Sequence, residues 1–291
     1  MRKIFTSLTS LLLFSVLAVT AVHAEARYFP YVLAAQETAT ISDKLDGVKQ
    51  ALAGGGFEIA GEYSPYEGAH IIVVTNAALK KAAAVSDFGG YAAGVRVALT
   101  QAGGQVQIAY ANPLYMQHIY RLNGGLSGVA SALQKALGKQ QEFGMEKGMT
   151  ARKLGKYHYM MAMPYFDDQV ELATYADHQG ALDKVEKGLA ASKAANKVYR
   201  IDIPGKDESV FGVAIVAGDG ADTTVMAATD TGALRHTAHL PYELLVSGDK
   251  AYILHGKFRI AQSFPDLGMG TFMKISGAPS AIEDTIKEAI R

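Results

Sequence analysis

The 291-residue chain contains no cysteine and no tryptophan. Without cysteine there is no disulfide, no thiolate nucleophile and no lipid attachment through an N-terminal Cys, so stability has to come from packing. The chain also lacks an excess of one charge, with 28 Lys and Arg against 28 Asp and Glu. A balanced chain has none of the basic surplus that supplies most non-specific affinity for nucleic acid, and that class of partner is excluded as an expectation. Familiar catalytic signatures are missing as well. There is no His-Glu-x-x-His and no P-loop, and Gly125-Leu126-Ser127-Gly128 stops one residue short of a nucleophile elbow. Gly218-Asp219-Gly220-Ala221-Asp222 lacks the third glycine of a phosphate loop and the alternating carboxylates and terminal Glu of a calcium loop, so it reads as a turn.

Long apolar runs are scarce, and the one that exists lies at the start. Arg2 and Lys3 precede the apolar stretch Leu11 to Val19, and Val22-His23-Ala24 suits a signal peptidase, so residues 1–24 read as a secretory signal cleaved after Ala24. An uncleaved anchor is the alternative, since Ile4 to Val22 is nearly long enough to span a bilayer, but Thr6, Ser7, Thr9, Ser10 and Ser15 dilute it. Removing those 24 residues leaves 267, with 26 basic and 28 acidic side chains and a net charge of −2. The mature chain has no second run long enough for a membrane span. The expected address is periplasmic or secreted, and at 49% hydrophobic residues there is chain enough for two cores of ordinary size.

What the sequence does contain is a repeat. Val95 to Leu122 returns as Leu240 to Leu267: a shift of 145 positions puts Leu99 on Leu244, Gly103 on Gly248, Ile108 on Ile253, Gln117 on Gln262 and Leu122 on Leu267. Around each copy the periodicity follows one programme. In the first half Tyr28 to Ala35 reads as a strand. Thr40 or Ser42 caps a helix with Ile41, Leu45, Val48 and Leu52 on one face, and Gly54-Gly55-Gly56 ends it. Phe57 to Tyr63 alternates, Ile71 to Thr75 suits a strand covered on both sides, and Val95 to Tyr110 is a hairpin about Ala102-Gly103-Gly104. Leu126, Val129, Leu133 and Leu137 mark a second helix. In the second half the expected strand is Tyr157 to Phe166, followed by a helix carrying Leu182, Val185 and Leu189. Strands at Tyr199 to Ile203 and Val210 to Val216 come next, then the hairpin Leu240 to His255. A capping box of Ser280 and Glu283 opens the last helix. The expected fold is α+β: two homologous lobes, each strand, helix, four strands, helix with a mainly antiparallel sheet. They occupy 25–138 and 157–291, joined by a polar linker over 139–156.

These motifs resemble a bacterial family known as domain of unknown function 302. Thr223 and Met226 after Ile215-Val216-Ala217-Gly218, and Leu240-Pro241 at the hairpin, match its pattern in the second half; Asn76 and Tyr110-Ala111-Asn112-Pro113 match it in the first. No copy is complete, since Val95-Arg96 replaces Leu-Pro, while Asp219-Gly220 and Lys257-Phe258 replace Asn-Pro. The resemblance implies a TATA-binding-protein-like α+β fold in tandem. It implies no reaction, and the nucleic-acid role of that wider fold class does not follow from fold alone.

Three sets of residues offer chemistry. His236 and His239 are three apart, and the hairpin register carries His255 toward them, which would bring three imidazoles together as ligands for zinc or copper. The competing reading makes His255 a replacement for Tyr110 at a half-buried position and leaves the other two on the surface. His158 with Met160, Met161 and Met163 would suit copper(I), but strand alternation splits the set between two faces, and core filling is the better reading. Fifteen tyrosines, several near the repeated hairpin, offer rings with polar tips for a pocket. The candidate ligand set there is Tyr110, Asn112, Tyr115, His118, Tyr242 and His255. The functional expectation is an exported soluble protein, non-enzymatic, that binds a small molecule or another exported protein. A periplasmic metal-handling protein using His236, His239 and His255 comes second, and a hydrolase-type enzyme without a recognisable motif third.

Overall fold

The computed structural model describes residues 25–291; the expected signal segment, 1–24, lies outside the described residues. The first half runs β1 (Arg27–Tyr28), β2 (Tyr31–Glu37), α1 (Ile41–Gly54), β3 (Glu58–Tyr63), β4 (Ala69–Thr75), α2 (Ala77–Ala84), β5 (Val95–Ala102), β6 (Gln105–Ala111), α3 (Pro113–Ile119) and α4 (Ser127–Leu137). Then come β7 (Gln141–Phe143), β8 (Met149–Thr150) and α5 (Ala151–Leu154). The second half runs β9 (Val170–Thr174), α6 (His178–Ala191), β10 (Ala195–Asp202), β11 (Glu208–Ile215), α7 (Asp222–Thr229), β12 (Tyr242–Ser247), β13 (Lys250–Ile253), α8 (Gly256–Ala261), α9 (Met269–Lys274) and α10 (Ala278–Ala289). The fold is α+β.

Local chemistry sets the boundaries. Helix α1 starts at a capping box, in which Thr40 Oγ1 accepts from the Asp43 amide and Asp43 accepts from the Thr40 amide, and its Val48 and Leu52 face the core. Asn76 and Asn112 cap α2 and α3 one way only, their side chains accepting from the Leu79 and Leu114 amides, the second with Pro113 in the first turn. The box expected at the last helix does not form. Gly277 is the N-cap of α10, and the Glu283 carboxylate instead accepts from the Gly256 amide at 2.8 Å and sits 3.1 Å from His255.

The strands form a six-stranded sheet, β3-β4-β5-β6-β2-β7, and a five-stranded one, β10-β11-β12-β13-β9, antiparallel throughout. Without β7 the two orders are identical when the halves are matched strand for strand. The hairpin registers agree too: Leu99 lies opposite Ile108, and Leu244, 145 positions on, lies opposite Ile253. The sheets pack face to face. Arg96 of β5 reaches Glu243 of β12, Tyr63 of β3 reaches Asp222, and a Cβ on Gly61 would lie 2.2 Å from the Val198 carbonyl oxygen. Helices α1 and α4 cover the far side of the first sheet, and α6 and α10 that of the second. The buried side chains form one connected cluster through both sheets, so the halves share a core.

Two segments differ from the sequence reading. Tyr157 to Phe166 is a run of turns, and the strand in its place is β9. Ala162 has φ 65° and Met161 is 91% exposed, so the run is not pressed into an extended, covered conformation; Tyr157 and Phe166 are buried as separate anchors. The segment read as a polar linker, 139–156, is structured. Within it β7 extends the first sheet beside β2, and β8 pairs with β1, because backbone hydrogen bonding to an edge needs no apolar periodicity.

Candidate functional site

Alternation along β5 and β12 turns Arg96 and Glu243 inward, into the layer between the sheets, where apolar side chains would be expected. Arg259, on α8, enters the same layer. Glu243 lies between the two guanidinium groups: Arg259 Nε donates to its Oε2 at 2.7 Å, and Arg96 Nη1 donates to its Oε1. All three are at most 5% exposed. Burial works to strip the Arg96 proton, and the Glu243 carboxylate outweighs it, so the guanidinium is held above its ordinary range.

Arg259 is saturated. It also donates to the Pro241 carbonyl at 3.0 Å, the His239 carbonyl, Ser263 Oγ at 3.0 Å and His239 Nδ1 at 2.7 Å. That last contact makes His239 Nδ1 an acceptor, which leaves its proton on Nε2. Burial first, and the two arginines after it, push the His239 imidazole well below its usual range, so it is neutral. Around this centre several buried polar atoms have no partner among the described residues: His239 Nε2, the hydroxyls of Tyr31, Tyr91 and Tyr242, and Gln262 Oε1. Unsatisfied groups at this density are costly, and they mark the layer as more than a packing surface.

From this centre the segment 230–243 leads outward to a cleft. Ala238, whose carbonyl accepts from Arg96 Nε at 2.8 Å, follows Thr237, whose hydroxyl meets Tyr66 Oη at 3.1 Å and Asp230 Oδ2 at 3.4 Å. Asp230 Oδ1 accepts from the His236 amide at 2.8 Å. The cleft measures about 530 Å³. The first half supplies Tyr66, Glu67, Thr100 and Gln101, and the second supplies Thr223, Met226, Asp230 and Arg235. Burial lifts the Asp230 carboxyl to about 6, against the pull of the His236 amide and Arg235. A second buried carboxyl, Asp222, is lifted to about 7 by burial, against hydrogen bonds from Tyr63 and the Ile215 amide.

The residues singled out in sequence are scattered across these surfaces. His239 is buried and His236 half-buried rather than superficial, both packed on Phe264 with ring centroids 4.9 and 5.3 Å away, and desolvation holds the His236 pKa at about 4. His236 Nδ1 is occupied by the Ser263 carbonyl at 3.0 Å. His255 is elsewhere. It caps α8 and pairs with Glu283, because β13 ends at Ile253 before the hairpin register can carry it to Tyr242. Among the described residues no three His, Asp or Glu converge as ligands for a metal ion.

Of the proposed ligand set, Tyr115 donates to the Gln262 carbonyl at 2.9 Å, and Tyr242 packs edge-on to His239 beside the arginines. Tyr110 faces the opposite side of the first sheet, toward the Gly138 carbonyl, and Asn112 caps α3. His118 packs at a tilt against Tyr28 with centroids 4.6 Å apart, and partial burial lowers its pKa. His158 is engaged with the Met160 carbonyl at 2.7 Å, in the turn region.

Sequence reasoning passed over Arg96, Glu243, Arg259, Asp222, Asp230 and Arg235. A signal was present for three of them: Val95-Arg96-Val97, Tyr242-Glu243-Leu244 and Phe258-Arg259-Ile260 each set one charge inside an apolar run. Charges so placed, of opposite sign, need partners when the element is buried. No protein-family model, no curated protein and no solved structure matches the chain.

Proposed function

We propose that this is a non-enzymatic binding protein whose ligand occupies the cleft between the halves. The observation that carries the reading is the cleft itself, about 530 Å³ and lined from both halves, within the range of sites for small organic molecules. Its chemistry describes the ligand. Met226 and Ala227 offer an apolar wall, Thr100, Gln101, Thr223 and Tyr66 offer hydrogen bonds, and Arg235 offers a cation for an acidic end. Two of its groups also serve the structure: Asp230 accepts from the His236 amide, and Tyr66 Oη meets the Thr237 hydroxyl. An exported address, as the leading residues suggest, would make the protein a carrier or receptor for such a molecule. The matching strand order supports a tandem repeat of the kind described for the domain of unknown function 302.

The test is a thermal-shift screen of small amphiphilic acids, with native mass spectrometry of the purified protein. Gln101→Trp and Thr223→Trp, both exposed at the rim, fill the cleft without touching the core. The expected result is a ligand that raises the melting temperature of the wild type and of neither variant. Equal responses in all three proteins, or turnover of the bound compound, would overturn the reading.

A further inference from the structure

Beside the Arg96–Glu243–Arg259 centre lies a second, much smaller cavity of about 20 Å³, apart from the cleft. Arg96, Tyr31, Tyr120, Gln262 and Ser263 line it. Room of this size holds one water or one ion of similar radius and excludes a phosphate or an organic acid.

Two donors there are unspent. Arg96 donates from Nε to the Ala238 carbonyl and from Nη1 to Glu243, and its Nη2 has no hydrogen-bond partner among the described residues. The Tyr31 hydroxyl, on a residue 2% exposed, makes no hydrogen bond of good geometry, although the Ser263 side chain lies close to it on the same cavity wall. Gln262 supplies a third. Its Nε2 donates to Tyr120 Oη at 2.8 Å while Oε1 is orphaned, and turning the amide over lets Tyr120 donate to Oε1 and frees two N–H groups.

Charge separates an ion from a water. Two guanidinium groups meet one carboxylate, and His239 is neutral, so the centre carries one uncompensated positive charge in a low-dielectric layer. The other buried carboxyls do not line the cavity, and Glu208 is taken by Lys206 and the Gly90 amide. Asp222 is bound by Tyr63 and the Ile215 amide, and Asp230 by the His236 amide and Thr237. We infer that the cavity is a structural site for a monovalent halide, held by Arg96 Nη2, Tyr31 Oη and the Gln262 amide, that neutralises the buried pair of arginines.

Bromide replaces chloride and scatters X-rays anomalously, so crystals grown in sodium bromide locate it directly. The expected result is an anomalous peak between Arg96 Nη2 and Tyr31 Oη, with a melting temperature higher in sodium chloride than in sodium gluconate at equal ionic strength. Tyr31→Phe removes a hydroxyl that makes no hydrogen bond of good geometry within the protein and keeps the ring's packing, and Ser263→Ala, run beside it, separates loss of the nearby Ser263 contact from loss of the ion. Tyr31→Phe should raise the chloride concentration needed for half the stabilisation by about tenfold, the order of one hydrogen bond to a charged group. No bromide peak, with equal melting in both salts, would assign the cavity to water and end the proposal. A halide effect that Tyr31→Phe leaves unchanged would place the ion elsewhere and end it equally.

Discussion

Replacing Glu243 by Gln keeps the side chain's shape and removes the only negative charge between Arg96 and Arg259. Both arginines are nearly solvent-free, at 5% and 2% exposure, so neither can recover by turning to water. Taking one partner from a buried ion pair costs about 3–5 kcal/mol, because the remaining charge stays desolvated without compensation. Here two charges are stranded, which puts Glu243→Gln at the upper end of that range. Against a total stability on the order of 5–15 kcal/mol, the variant should lose a third or more of it. Urea unfolding measures this, with the midpoint falling and the slope unchanged if only stability is altered. The exposed pair of Glu171 and Lys250 is the control, and Glu171→Gln should leave the midpoint within experimental scatter. Replacing Arg96, Glu243 and Arg259 together by apolar residues of similar volume should recover most of the loss, since no charge is then left buried. A Glu243→Gln midpoint indistinguishable from that of Glu171→Gln would refute the account of a buried centre in which Glu243 offsets the guanidinium charges.

Three further outcomes follow from the same geometry. Asp222 has a folded pKa of about 7 against an ordinary 3.8, so the folded state binds the extra proton between those values and its contribution is lost as pH rises through 7. Asp222→Asn should therefore gain stability relative to the wild type as pH increases from about 4 to 7, read from urea midpoints across that window; a constant difference would contradict the burial argument. His236 runs the other way, with a folded pKa of about 4 against 6.5. The unfolded chain takes its proton first, so stability falls as pH drops from 6.5 toward 4, and His236→Phe, which keeps the stack on Phe264, should flatten that limb of the melting curve. Gly61→Ala places a Cβ 2.2 Å from the Val198 carbonyl oxygen, where backbone has to move, and should cost about 1–3 kcal/mol by thermal denaturation.

The fold was legible where periodicity and turn chemistry agreed. The Thr40 cap, the Gly54-Gly55-Gly56 stop, the covered strand at β4 and the two hairpins all appear where the side-chain pattern puts them. It failed where composition stood in for pattern. The apolar Tyr157 to Phe166 looked like a strand but lacks the alternation and cover that would hold one, and the polar stretch 139–156 looked like a linker although edge pairing of β7 and β8 needs only free amides and carbonyls. The site was less legible still. Histidines and tyrosines are the residue types that usually carry chemistry, yet spacing does not reveal that His255 lies past the end of β13 at Ile253 and caps α8 instead. The buried charges were visible one at a time, but pairing Arg96 with a carboxylate 147 residues away requires knowing that the two sheets face each other.

That pairing also bears on the repeat. Under the 145-residue shift, which the hairpin registers obey, Arg96 corresponds to Pro241, Glu243 to Ala98, His239 to Gly94 and Arg259 to Leu114. Each charged member of the centre is matched by a residue in the other half that cannot ionise. A symmetric pair of sheets would have carried either two such centres or none, and a second Arg96 in place of Pro241 would have added a third buried cation beside Arg259 with nothing to balance it. The arrangement is workable because it is one-sided: the first half gives one arginine, and the second gives the carboxylate, the histidine and the other arginine. The cleft is mixed instead: Asp230 and Arg235 come from the second half, and Glu67 with Tyr66, Thr100 and Gln101 from the first. The two halves share a strand order but not this centre, and under the proposed binding role ligand selectivity is to be sought in residues 230–243, the segment that touches both the centre and the cleft.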